Sequence, residues 1–337
     1  MKTFFRLAYI FLLAVCAVPG SFVSMAQSEG VPIEFDKSAP SQAVLDQAEH
    51  LRADGRLLRS DAVAAQLVTP LPGPVRPADV LTRPLRPREV AARARAGGVH
   101  VGWYYLCPDC NHWHAKLLGG YAIAWDAVAT AYHCVDPDKN RTREGYLIAV
   151  DSEEKVRPVT AVLATSKELD AVILRVGGGD LSPLALNGDV APGDAAFCLS
   201  DPLGQNGYFS QGIVNRFLWL HSRGNKPGAM EEWKSLRMNV STDWAPGSSG
   251  AAVLDECGNV IGHVATISPM AEKSRAPSVK PPDNLSGAEA EKNPPPSPVA
   301  QDRFNGAVLI TLHAAIPARG VLALVRSLNR PAAPETR

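Results

Sequence analysis

Three side chains of unlike chemistry stand in an order that suits nucleophilic acyl transfer: His133, Asp170 and Ser249. A serine hydroxyl is a weak nucleophile until a neighbouring imidazole takes its proton. The imidazole in turn needs a buried carboxylate to hold its tautomer and stabilise the imidazolium. Each residue taken alone has a bland reading. A lone histidine such as His133, at the end of the apolar run before Asp136-Pro137-Asp138, is usually a satisfied structural residue. Asp170, directly ahead of the alternating run Ala171-Val172-Ile173-Leu174, would ordinarily be a solvated turn residue. Gly247-Ser248-Ser249-Gly250 would ordinarily be a plain turn between strands. Together the three supply nucleophile, base and orienting acid. The Gly247 and Ser249 amides, in a turn that glycine lets bend sharply, are candidates for an oxyanion hole.

The elements that must position these residues are short β runs. They fall at 99–106, 121–125, 145–150, 159–164 and 171–176, then at 195–199, 212–220, 236–240, 251–254, 260–267 and 307–312. Many short strands with few helices predict an all-β barrel or sandwich. Asp255-Glu256-Cys257-Gly258-Asn259 reads as a hairpin turn between two of them. Residues 321–328 read as a C-terminal amphipathic helix, and 331–337 as a polar tail. Residues 270–303, rich in Pro, Ser, Lys and Glu, predict a flexible insertion.

The start of the chain differs. Lys2, Arg6, the apolar run 7–18 and Ser24-Met25-Ala26 have the form of a signal peptide over 1–26, with Cys16 a poor lipidation signal. The expectation is an exported protein, periplasmic or secreted, with no stable membrane insertion once the signal is removed. Residues 27–98 predict helical stretches at 41–58, from Ser60-Asp61, and at 88–96 after Pro87. The prolines from Pro70 to Pro87 argue for an extended linker there, either a mobile spacer or a propeptide or docking arm. With 34 basic and 34 acidic residues among 337, nothing points to nucleic acid. The oligomeric state has no signature in the sequence.

A second group with chemistry is Cys107-Pro108-Asp109-Cys110-Asn111-His112-Trp113-His114. Cys107, Cys110, His112 and His114 are enough ligands for a structural zinc. No second Cys-x-x-Cys accompanies them, so in an oxidising compartment a local disulfide is the first expectation, zinc the second and free thiols the last. The five cysteines after Cys16 leave at least one unpaired within the chain.

Gly119-Gly120, Thr130-Ala131-Tyr132-His133-Cys134, Asp170-Ala171-Val172-Ile173-Leu174 and Gly247-Ser248-Ser249-Gly250, in this order, resemble the trypsin-like serine peptidases. Thr242-Asp243 before Pro246, and Ala315-Ile316-Pro317-Ala318, are similar to the bacterial branch that includes HtrA-type and glutamyl endopeptidases. The resemblance spans about residues 99–328, within a peptidase domain expected over 99–330, and implies two six-stranded antiparallel β-barrels with the active site between them. His133 and Asp170 would come from the first barrel and Ser249 from the second. It implies a serine endopeptidase acting on protein or peptide substrates through an acyl-enzyme, with no cofactor required. Two other classes compete with that reading: a catalytically silent binding scaffold on the same fold, and a metal-dependent hydrolase centred on the Cys/His group.

This sequence departs from the family pattern in several places. Ser248 stands where digestive members carry an aspartate that binds a new N-terminus, so activation of that kind is not expected. Ala251-Ala252 replaces the usual Gly-Pro, and Leu118 stands where many relatives have the cysteine that would pair with Cys134. Cys134 is therefore expected as a buried thiol. No PDZ-like module is expected after the catalytic region. Asp243 lies six residues before Ser249, the count at which trypsin keeps its specificity acid. His263 either lines the same pocket or faces the core, and the core is the preferred placement.

Overall fold

The computed structural model describes residues 40–137, 144–222, 233–271 and 308–330. Residues 1–26, expected as a signal peptide, residues 27–39, nearly all of the stretch 270–303 expected as an insertion, and residues 331–337 lie outside the described residues.

The first barrel is built from β2 (Gly98–Leu106), β3 (Trp113–Ala124), β4 (Ala127–Thr130), β5 (Glu144–Asp151), β6 (Val156–Ser166) and β7 (Ala171–Val176). The strands run in the order β5-β2-β3-β4-β7-β6, and the β5–β6 pairing closes the ring. Val99, Val101, Trp103, Leu147, Val162, Val172 and Leu174 fill its interior. The second barrel closes through β8 (Ala195–Ser200), β9 (Tyr208–Ser222), β10 (Trp233–Val240), β11 (Ala252–Leu254), β12 (Val260–Ala271) and β13 (Val308–Pro317). Its core holds Cys198, Val214, Met238, Trp244, Val253, Ile261 and Ala315. Full closure leaves no open sheet edge in either ring. Two closed six-stranded antiparallel barrels are the architecture that the resemblance implied.

Two features of the first barrel escaped the sequence pattern. The strand expected at 121–125 begins eight residues earlier, at Trp113, because Trp113, Ala115 and Leu117 pack outward against an added layer rather than into the barrel. Ala127–Thr130 is a separate strand, paired with both β3 and β7.

The added layer is the N-terminal segment. Helix α1 (Gln42–Ala53), capped by the Ser41 hydroxyl accepting from the Val44 amide at 3.4 Å, buries Val44 and Ala48 against Tyr104, Ile148 and Val156. The short β1 (Leu58–Arg59) pairs with β5, and α2 (Ser60–Val68) sends Val63 and Leu67 into the first barrel's core. Helix α3 (Pro87–Gly97) opens on Pro87, with the Glu89 carboxylate accepting from the Arg86 amide at 2.8 Å. Its Val90 and Ala94 pack with Tyr121, Ile123, Phe197 and Leu254, where the two barrels meet. Helix α5 (Ala318–Leu328) adds Val321 and Val325 to that same cluster. Another short helix, α4 (Tyr132–Val135), follows β4.

The proline-rich stretch between α2 and α3 is extended, as its composition predicts, but it does not form a mobile spacer. The Asn329 side-chain amide donates to the Val75 carbonyl at 2.6 Å and accepts the Val75 amide at 3.0 Å. Asn259 makes the same two-point clamp on Leu81, at 2.9 and 2.8 Å. The Leu71 and Leu85 amides donate to the Val162 and Glu256 carbonyls at 2.9 and 2.8 Å, and the Arg175 guanidinium donates to the Pro74 carbonyl at 2.7 Å. Among the described residues, no helix is long and apolar enough to cross a membrane.

Candidate active site

The apolar strand β4 ends at the first barrel's rim, and the single turn α4 that follows carries His133. Asp170 closes the turn before β7 in the left-handed region, at φ 50°. Asp and Asn tolerate that conformation better than most side chains. It aims the Asp170 carboxylate back at α4, where it accepts the His133 amide at 3.0 Å and the Nδ1 hydrogen at 2.8 Å. A carboxylate held at both backbone and ring fixes the imidazole's orientation and places the hydrogen on Nδ1. Nε2 is then the basic nitrogen of the neutral ring.

Burial works against charging His133, but the Asp170 carboxylate and the Cys134 sulfur outweigh it and raise its pKa to about 10. For Asp170 the balance runs the same way. Desolvation disfavours its charge, and the bonds from His133 more than offset that, holding the carboxyl below its usual range. The two side chains remain 25% and 17% exposed, so solvent and ligands can reach the pair.

Asp170 is also held from the second barrel. His263, fully buried on β12, donates its Nε2 hydrogen to the Asp170 carbonyl at 3.1 Å. Its Nδ1 accepts from the Tyr121 hydroxyl at 3.3 Å. Desolvation lowers the His263 pKa to about 4, so the ring is neutral at ordinary pH. His263 thus lies in the core, 0% exposed. Its support of the acid was not legible in the sequence, and neither was the part played by Tyr121.

Ser249 lies on the loop from β10 to β11, anchored by the buried Trp244. The Trp244 indole donates to the Thr266 carbonyl at 3.2 Å, and its carbonyl accepts from His313 at 3.2 Å. The loop is tied to the first barrel at Ser249 itself. The Ser249 carbonyl accepts the Gly119 amide at 2.8 Å and the Cys134 thiol at 3.6 Å. Since Cys134 adjoins His133, these bonds bring the serine's main chain beside the histidine's turn. Glycine is required at 250, where φ is +81° and a Cβ would lie 2.2 Å from the Gly119 carbonyl oxygen.

Within the turn, the Ser248, Gly250 and Ala251 amides donate to the carbonyls of Ala245, Val264 and Ser248. The Gly247 and Ser249 amides donate to no carbonyl or side chain among the described residues. They are the two expected to face an oxyanion. The neighbouring Ser248 hydroxyl is buried without a hydrogen-bond partner among the described residues. Among the described residues, the Ser249 hydroxyl makes no hydrogen bond to His133.

Asp243 is exposed, its backbone clamped to the Ser210 hydroxyl at 3.1 Å in both directions. Cys134 is the buried thiol that was expected. Cys107 and Cys110, at the tip of the β2–β3 hairpin, are thiols rather than the local disulfide expected first. With His114 they bring three ligand atoms within 4.8 Å of one another, while His112 is not part of that close group.

The family model described as the trypsin-like peptidase domain matches residues 119–262, a span that contains His133, Asp170 and Ser249. Among solved structures, the inactive form of a serine-to-alanine mutant of Rv3671c from M. tuberculosis H37Rv aligns over 76% of this chain and 100% of its own, with 16% identity and a TM-score of 0.48. No curated protein matches the chain. Residues 119–262 are thus similar to the trypsin-like peptidase domain, within a chain folded as two closed six-stranded barrels.

Proposed function

We propose that this protein is an exported serine endopeptidase that cleaves peptide bonds through an acyl-enzyme, with Ser249 as nucleophile, His133 as general base and then acid, and Asp170 as the orienting carboxylate. The observation that carries this reading is the meeting at the barrel junction: an imidazole clamped by Asp170, next to a thiol that binds the Ser249 carbonyl. Substrate binding draws the Ser249 hydroxyl onto Nε2, since catalytic hydrogen bonds tighten in the Michaelis complex. His133 takes the hydroxyl proton as Ser249 attacks the carbonyl carbon, and the Gly247 and Ser249 amides hold the oxyanion. The tetrahedral species collapses as His133 returns the proton to the leaving amine. Water then repeats the sequence on the acyl-enzyme to release the acid product. No step needs a cofactor.

Labelling by a fluorophosphonate probe tests this directly. The wild-type protein and Ser248→Ala should label, and Ser249→Ala should not. Absence of label on the folded wild-type protein would move the reading to a silent binding scaffold on the same fold. Export is tested by fractionating cells that express the full chain, with the N-terminus of the mature protein sequenced. A mature protein beginning at Met1 in the cytoplasm would refute it.

A further inference from the structure

Away from the barrel junction, the tip of the β2–β3 hairpin has more built-in geometry than a turn needs. Pro108 and the left-handed Asn111 (φ 56°) shape it. The Asn111 amide donates to the Cys107 carbonyl at 3.0 Å, and the Cys107 amide to the His112 carbonyl at 2.9 Å. The Cys110 sulfur lies 3.0 Å from His114 Nε2, and the Cys107, Cys110 and His114 donor atoms all fall within 4.8 Å. Around a tetrahedral zinc such donors sit roughly 3.5–3.8 Å apart, so small side-chain rotations close the shell.

We infer that Cys107, Cys110 and His114 form a structural zinc site that pins the tip of the β2–β3 hairpin. Two thiolates with imidazole favour zinc over harder cations. Binding displaces one proton from each thiol and changes no oxidation state. The site is structural because it is remote from the chemistry. Gly119, the residue bonded to Ser249, lies five positions along β3 from His114, about 17 Å at strand spacing. The metal stiffens a hairpin whose other end forms one wall beside the nucleophile.

The test uses the full reduced chain, stripped of metal and titrated with Co2+ as the spectroscopic probe. One equivalent should produce a thiolate-to-cobalt charge-transfer band and the visible bands of a tetrahedral ion, and Zn2+ should displace both. Cys107→Ser and Cys110→Ser should each abolish the charge-transfer signature of paired thiolates, and His114→Ala should weaken affinity at least tenfold. Cys257→Ser, which removes a thiol elsewhere, should leave the spectrum intact. Melting curves of all variants in chelator should match the metal-free wild type, as expected for an exposed hairpin tip, and show that lost binding is not lost folding. No charge-transfer band in the reduced protein would overturn the proposal. So would a band that survives in the Cys107→Ser, Cys110→Ser double variant, or a Cys107–Cys110 disulfide in protein purified with zinc present.

Discussion

The Nε2 hydrogen of His263, in the second barrel, donates to the carbonyl oxygen of Asp170 in the first at 3.1 Å. The orienting acid of the proposed triad is therefore held by both barrels. Its carboxylate clamps His133 from the same ring, and its main chain is braced by a neutral imidazole that rests on Tyr121. The alignment of His133 consequently depends on how the barrels dock, and that docking also carries the Gly119–Ser249 bond.

Replacing His263 tests that brace. His263→Ala leaves the Tyr121 hydroxyl and the Asp170 carbonyl without their partner and should destabilise the fold by about 2–4 kcal/mol. In a variant that still folds, kcat should fall more than KM rises, because the change acts on alignment rather than on substrate binding. The folded His263 pKa of about 4 lies below the unfolded value of 6.5. Wild-type stability should therefore decline as pH falls from 6.5 toward 4, and denaturant titrations of His263→Gln should show a flatter acid limb.

The His133–Asp170 pair sets a second pH window. His133 is raised from 6.5 to about 10, so its contribution to stability is complete below 6.5 and is lost as pH rises through about 10. Asp170 is depressed below its ordinary 3.8, so its contribution is present above that value and is lost as pH falls through the depressed pKa. A protonated His133 cannot act as base, and kcat/KM should climb across the neutral-to-alkaline range. Asp170→Asn should shift that limb to lower pH and reduce the plateau by several orders of magnitude. Rate–pH profiles on a peptide substrate check both.

Gly250→Ala should separate the nucleophile from its surroundings without touching Ser249. The new Cβ would lie 2.2 Å from the Gly119 carbonyl oxygen and 2.3 Å from the Thr130 hydroxyl, at a φ of +81°. Either the turn or the barrel contact must move. Fluorophosphonate labelling should be lost and stability should fall by roughly 2–4 kcal/mol. Gly55→Ala, at a similar φ of +67° but with nothing within 4 Å of the new Cβ, should cost only about 1–2 kcal/mol and leave labelling unchanged.

Deleting residues 40–97 should unfold the domain rather than activate it. Val44, Leu57, Val63, Leu67, Val75 and Val90 are all buried. At about 1.5–3 kcal/mol for each such side chain, their loss is comparable with the net stability of a domain. Asn259→Ala alone, which frees the Leu81 amide and carbonyl, should lower stability by about 1–3 kcal/mol and raise protease sensitivity between α2 and α3. Limited proteolysis with thermal melts distinguishes this from a cleavable arm, whose removal would leave the melting temperature unchanged.

His133, Asp170 and Ser249 could be proposed from the linear sequence because each sits in a short local pattern, an apolar run ending in a turn or a glycine-flanked serine. Most strands were readable for the same reason, since side-chain alternation is a property of neighbours in the chain. The start of β3 and the role of residues 40–97 were not. Trp113, Ala115 and Leu117 face a helical layer whose presence no local window reveals, and an extended proline-rich stretch reads alike whether it is free or strapped down by Asn259 and Asn329. His263 also looked like any apolar-strand histidine until the second barrel placed it against Asp170, 93 residues away. Local patterning, then, determined which residues could do the chemistry and which segments would be strands. Only the closure and docking of two barrels decided what holds those residues in place, because those contacts join positions far apart in sequence.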